Sequence, residues 1–175
     1  VQLDRQSYLL CIGGGAVLDA ASFAGAIFHR GVRVVRIPGT TLSQCDSGVG
    51  VKAAVNALGK KNLIGSFHVP SAVVHDATLL NSLDQQRWIE GFSEIVKVAM
   101  IKDAALFEAM ETEADAIVAR DLNRAMPLIQ RSAELHLEHI TRGGDPFEQT
   151  TARPLDFGHW AAHHLEQLSR YTLSH

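Results

Sequence analysis

Along the first third of the chain, unbroken apolar runs alternate with stretches at helical spacing. Tyr8-Leu9-Leu10-Cys11-Ile12 is continuous and stops at Gly13-Gly14-Gly15. An uninterrupted run suits a strand buried on both faces of a parallel sheet. Ala16 to His29 is alanine-rich with apolar residues at helical spacing, which predicts a helix. Val32 to Ile37 predicts a second strand, closed by Pro38-Gly39. Strand, helix, strand in that order is a right-handed crossover unit. Ala72-Val73-Val74-His75 predicts a third strand, and the glycine-bearing stretches around Asp46–Lys52 and Gly59–Asn62 read as loops.

After about residue 78 the strand signals vanish. Asp84 can cap a helix running to Ile101, and Asp103 a second through Ala119. A third spans Leu122 to Thr141, with Pro127 inside it as a kink or an earlier break, before Gly143-Gly144-Asp145-Pro146 interrupts the chain. A last helix follows Gly158. The expected organisation is an α/β portion over residues 1–78 and an all-α portion over 79–175. The chain opens almost directly into a core strand, and one crossover unit makes a narrow sheet. Both portions are therefore expected to be partial, truncated at the two ends of the sequence.

Composition narrows the classes. Sixteen basic and 19 acidic residues give a formal net charge of −3 over 175 residues, with no basic run, a poor match to phosphate-driven nucleic-acid binding. No apolar stretch is long enough for a membrane span, and no basic-then-apolar leader is visible. Two cysteines, Cys11 and Cys45, are too few for a disulfide framework and point to a reducing, cytoplasmic setting. Six of the nine histidines fall in the last 40 residues, which draws the search for chemistry to that end.

Each motif has a plain reading beside a chemical one. Gly13-Gly14-Gly15, between a strand and a helix, fits a phosphate cradle and a simple tight turn equally well. Asp19, one turn on, suits a ribose or nicotinamide contact or a solvated helix position. Lys52, Lys61 and Asn62 suit an anionic substrate, though any one lysine is more often merely exposed. Glu94 and Lys97 share a helix face, as a surface ion pair would, but their neighbours Phe92, Ile95 and Val96 are apolar. His159 and His163, four apart, can present two imidazoles to one metal or be a core-plus-surface pair. With Glu94 and His175, a site of two nitrogens and one oxygen is plausible for zinc.

Taken in order, GGGAVLDAASFAGAIFHRGVRVVRIPGTTLSQCDSGVGVK, LGKKNLIGSF, GFSEIVKVAMIKD, LDFGHWAAHHLE and the final His175 resemble the 3-dehydroquinate synthase family of sugar phosphate cyclases. The resemblance implies an NAD-binding α/β domain joined to an all-helical domain, with the active site between them. It also implies a divalent metal, usually Zn2+ and alternatively Co2+. The implied reaction is a transient oxidation by NAD, phosphate elimination, re-reduction and intramolecular aldol closure of a seven-carbon sugar phosphate.

Carried over by position, Gly14, Gly15, Asp19, Thr40 and Leu42 match NAD contacts. Asp46 and Lys52 match positions at the nicotinamide and substrate, Lys61 a lysine near the cofactor, and Asn62 a substrate contact. Glu94, His159 and His175 match the metal ligands; the resemblance assigns His159 alone of the histidine pair. Lys97 and His163 match substrate and phosphate contacts. Arg30 matches an arginine that reaches a neighbouring subunit's phosphate, implying a homodimer. Departures gather at the substrate end. The family's Pro-Thr-Thr reads Pro38-Gly39-Thr40-Thr41, its asparagine is Asp156, a lysine is His136, and an arginine is displaced to Arg153. Those changes favour a related cyclase with a neutral-headed substrate, such as a sedoheptulose 7-phosphate cyclase of the valiolone type. A polyol dehydrogenase of the glycerol dehydrogenase type and a non-catalytic remnant are the other classes weighed. The phosphate apparatus of Lys52, Asn62, Lys97 and Arg30 separates the first of these from a cyclase.

Overall fold

The computed structural model describes residues 2–147, 156–170, 172 and 173. Strand β1 (Tyr8–Gly13) leads into helix α1 (Gly15–Ile27), which returns the chain to β2 (Arg33–Pro38). Strand β1 pairs with β2 in parallel, Leu10 opposite Val35. After a π-helical turn over Ser43–Ser47 come β3 (Lys52–Ala57) and β4 (Lys60–Phe67), an antiparallel pair. The short β5 (Ala72–Val73) then joins β2, giving a parallel sheet in the order β1-β2-β5. Leu18 of α1 packs on Cys11 and Val34 of the sheet.

Two expectations for this half need correction. Lys52, Lys61 and Asn62 do not sit on loops; they belong to the β3–β4 hairpin. The third strand is only Ala72–Val73. The hairpin escapes pattern reading because half its residues are Ala, Lys and Asn, poor strand formers, and its stability comes from cross-strand pairing.

The helical half consists of α2 (Gln85–Lys102), α3 (Ala104–Thr112), α4 (Ala114–Val118), α5 (Leu122–Arg142) and α6 (His159–Leu168). Asp84, Asp103 and Asp121 cap α2, α3 and α5 by accepting from backbone N–H groups. The single helix expected over 103–119 is two, broken at Glu113. Arg124 grips both carboxylate oxygens of Glu113, at 2.5 and 2.7 Å, and the buried Trp88 indole donates to the Ile117 carbonyl at 2.7 Å. Pro127 does not end α5, because in the second turn it forgoes only one backbone bond. Trp88, Phe92, Ile95, Val98, Leu106 and Ile129 form the main core.

Gly91 joins the two halves. A Cβ there would lie 2.3 Å from the Leu42 nitrogen and 2.6 Å from Thr41 Cβ, so α2 meets the turn after β2 backbone to backbone. Among the described residues, no helix is long and apolar enough to cross a membrane.

Candidate functional site

The ends of β1 and β2 open on a cavity of about 840 Å³, walled by the start of α1, the β3–β4 hairpin, α2, α5 and α6. The carboxyl edge of a parallel sheet is where α/β folds bind ligands, because turns and helix N-termini converge there. Gly14 precedes α1 with no side-chain cap, and no acidic residue occupies the first turn. A Cβ on Gly14 would lie 3.0 Å from Thr40 Cγ2, and one on Gly15 would lie 3.2 Å from Ser47 Oγ. The Ser47 hydroxyl is buried and has no hydrogen-bond partner among the described residues. An open helix N-terminus with an unsatisfied hydroxyl beside it fits an anionic group such as a pyrophosphate.

Among the described residues, four carboxylates line this cavity: Asp19, Asp46, Glu94 and Asp156. Burial pushes the Asp19 carboxyl up to about 6, with Arg36 opposing and Asp46 reinforcing the shift. Burial likewise raises Glu94 to about 6; Asp46 adds to this, and Lys97 works against it. Burial would also raise Asp46, but the His136 ring, Lys97 and His159 together keep it below the usual carboxylate range. His136 Nδ1 lies 2.7 Å from Asp46 Oδ1, and Lys97 Nζ lies 2.5 Å from Glu94 Oε1.

Glu94, His159 and His163 line the same cavity, the two imidazole rings 5.7 Å apart. The Asp156 carboxylate approaches His159 Nδ1 at 3.7 Å. One carboxylate oxygen and one imidazole nitrogen suit a zinc-like cation, which would stabilise the buried Glu94 carboxylate in its charged form. Among the described residues no group of three His, Cys, Asp or Glu gathers for a metal; the third expected ligand, His175, lies outside them, as does Arg153.

The cavity thus brings together Gly15, Asp19, Leu42, Asp46, Lys52, Lys61, Asn62, Glu94, Lys97, His159 and His163 from the expected set. Gly14 and Thr40, which lie against each other, are not among its lining residues. Arg30, with φ 68° just beyond α1, is not among the lining residues.

Three further residues were not singled out for the roles they take here. Arg36 is fully buried and donates to Ser22 Oγ (2.9 Å) and to the carbonyls of Gly50 (2.5 Å), Gly48 (3.3 Å) and His68 (3.4 Å). Its signal was available, since it falls in phase with buried Val34 and Pro38 along β2. Glu166, one helical turn beyond His163, pairs with Lys61 at 2.7 Å. His136 was seen only as a departure, and its pairing with Asp46 had no local signal.

The model for the 3-dehydroquinate synthase N-terminal domain matches residues 1–90, and that for the C-terminal domain matches 91–175. A 3-dehydroquinate synthase of Ruegeria sp. (strain TM1040) is 37% identical over 171 residues, 98% of this chain but 45% of that protein. The chain therefore spans about half the length of the curated relatives it matches. Among solved structures, ValA, the 2-epi-5-epi-valiolone synthase of Streptomyces hygroscopicus with NAD+ and Zn2+ bound, superposes with TM-score 0.87. It is 31% identical over 94% of this chain and 46% of its own. 2-Deoxy-scyllo-inosose synthase complexed with carbaglucose-6-phosphate, NAD+ and Co2+ gives TM-score 0.78 and 26% identity, over 94% of this chain and 44% of that one. An α/β portion followed by a helical portion, the cavity at their junction and both family matches lead to one conclusion: the chain belongs to the 3-dehydroquinate synthase family.

Proposed function

We propose that the protein is an NAD- and divalent-metal-dependent sugar phosphate cyclase, acting on a seven-carbon sugar phosphate. The observation that carries this reading is the cavity itself. One space gathers an uncapped helix N-terminus, buried carboxylates, and the lysines, asparagine and histidines expected to hold a phosphorylated sugar. The junction between the two portions is placed at residue 78, the homodimer rests on Arg30, and the setting is the cytoplasm.

When bound, NAD supplies a reversible hydride acceptor and the metal a Lewis acid that acidifies a substrate hydroxyl. Gly14, Gly15, Ser47 and Asp19 would seat the dinucleotide, with Thr40 and Leu42 shaping the turn beside it. Glu94 and His159, with His175, would hold the cation. Lys52, Asn62, Lys97 and His163 would hold the phosphate and hydroxyls, with Arg30 reaching a partner subunit. With both groups bound, the chemistry they would supply is a transient oxidation that acidifies the neighbouring C–H, so that phosphate can leave with the C–O electron pair, followed by re-reduction and aldol closure within the same molecule; Lys52, Lys97 and His163 would hold the departing phosphate. The chain's part is to orient and to exclude water.

Within this class the substrate head is read as neutral. His136, standing where the family resemblance expects a lysine, is committed to Asp46, and Asp156 adds a carboxylate to the same wall. Among the described residues, a carboxylate-bearing substrate would meet the acids Asp46 and Asp156 there beside a His136 already paired with Asp46; one missing desolvated partner costs about 3–5 kcal/mol.

The purified protein, given NAD+, Zn2+ and a panel of seven-carbon sugar phosphates, is expected to release inorganic phosphate from at least one of them, fastest from a neutral-headed one. Release from none, with oxidation of an unphosphorylated polyol instead, would favour the polyol dehydrogenase reading.

A further inference from the structure

Helix α6 carries His159 and His163 into the cavity, yet none of its residues is buried. Its apolar side chains, Trp160, Leu165 and Leu168, are exposed. Core packing therefore does little to fix where these two histidines sit, since a helix of this length gains its stability chiefly from a buried face. A polar contact crosses the cavity instead. Glu166 Oε2 lies 2.7 Å from Lys61 Nζ on β4, with only 12% and 21% of the two side chains exposed. The same oxygen lies 3.9 Å from His163 Nδ1. The two chain segments are 105 residues apart in sequence. A short, half-buried, charge-assisted hydrogen bond is stronger than an exposed ion pair, because solvent screens it less.

We propose that Glu166 is a positioning residue: through Lys61 it clasps α6 to the β3–β4 hairpin and so sets where His159 and His163 stand in the cavity. The metal-binding consequence rests on the proposed ligand role of His159; the clasp itself does not. Glu166 touches neither substrate nor metal in this account. It acts through the helix that it anchors, and its ion pair with Lys61 joins the hairpin to α6.

The test is a double-mutant cycle on hydrogen exchange of the α6 backbone amides, in the wild type, Glu166→Gln, Lys61→Gln and the double variant. Each single change should speed α6 exchange by about tenfold, the scale of one charge-assisted hydrogen bond. The double variant should be no faster than either single one. Exchange unchanged in either single variant, or multiplied in the double, overturns the clasp.

Titration with Co2+, followed by its visible absorption, gives the positioning readout. Both single variants should weaken Co2+ binding to the same extent, and Glu166→Asp should recover part of it. A Co2+ affinity unmoved in a variant whose α6 exchange has risen would make Glu166 merely structural and overturn the positioning role. If the wild type takes up no Co2+, the metal reading fails, while the exchange cycle still decides the clasp.

Discussion

Replacing Arg36 by methionine keeps the length of the side chain and removes its charge and all its donors. In the native fold the guanidinium is fully buried, with good bonds to Gly50 O and Ser22 Oγ and longer ones to Gly48 O and His68 O. The two good ones are charge-assisted and worth about 1.5–3 kcal/mol each. Offsetting them is the cost of burying a guanidinium, which shows as a lowered Arg36 pKa caused first by desolvation. The net expectation is a loss of about 3 kcal/mol, since carbonyls of the 48–50 turn are left without their donor. In a domain of ordinary stability that moves a urea midpoint down by about 1–2 M. Arg36→Lys, which keeps a charge but not the planar fork, should fall between the two. Equilibrium unfolding followed by the fluorescence of buried Trp88 measures it. A loss below about 1 kcal/mol would refute the claim that these bonds hold the turn between Asp46 and Lys52.

The other predictions concern neighbouring parts of the molecule. Asp19 has a folded pKa of about 6 against an ordinary 3.8, so the folded state binds more protons than the unfolded one between those values. Its contribution is therefore intact below pH 3.8 and lost as pH rises through 6. Asp19→Asn should match the wild type near pH 4 and exceed its stability at pH 7 by about 1–3 kcal/mol, discounted for partial exposure and read from urea unfolding at the two pH values. Gly91→Ala should destabilise by about 3 kcal/mol or more, because its Cβ would meet the Leu42 nitrogen at 2.3 Å; a thermal midpoint within a degree of wild type would count against the α2 packing described. His136→Lys should shift preference toward a carboxylate-bearing substrate by about tenfold in kcat/KM, and no shift would remove the charge argument for a neutral head.

How much of this was legible depended on whether the signal was local. The strands β1 and β2 and helix α1 announce themselves through apolar runs and a glycine break, but the burial on both faces expected of β1 is not found: Cys11 is buried while Tyr8, Leu10 and Ile12 are exposed. The expected caps Asp84 and Asp103 start their helices as their side chains require, and Asp121 does the same for α5, where the sequence reading names no cap. The hairpin was missed because Lys52-Ala-Ala-Val-Asn-Ala carries little strand preference, and its partner strand supplies the stabilisation. The break at Glu113 depends on Arg124, eleven residues on. In the site, Glu94 with Lys97 and His159 with His163 were visible as helical spacings. The Asp46–His136 and Lys61–Glu166 contacts join segments far apart in sequence, and nothing local to either residue marks its partner. Arg36 was legible in principle: a lone cation in phase with buried residues along a strand needs acceptors, and the 48–50 turn supplies them.

The proposed activity requires NAD to be used and restored in every turnover. The most direct measurement follows phosphate release and absorbance at the NADH band together, with NAD+ kept well below the sugar phosphate. The account predicts many phosphates released per NAD+ and no net NADH at the end. NADH that accumulates in step with substrate oxidised, without phosphate release, would contradict it.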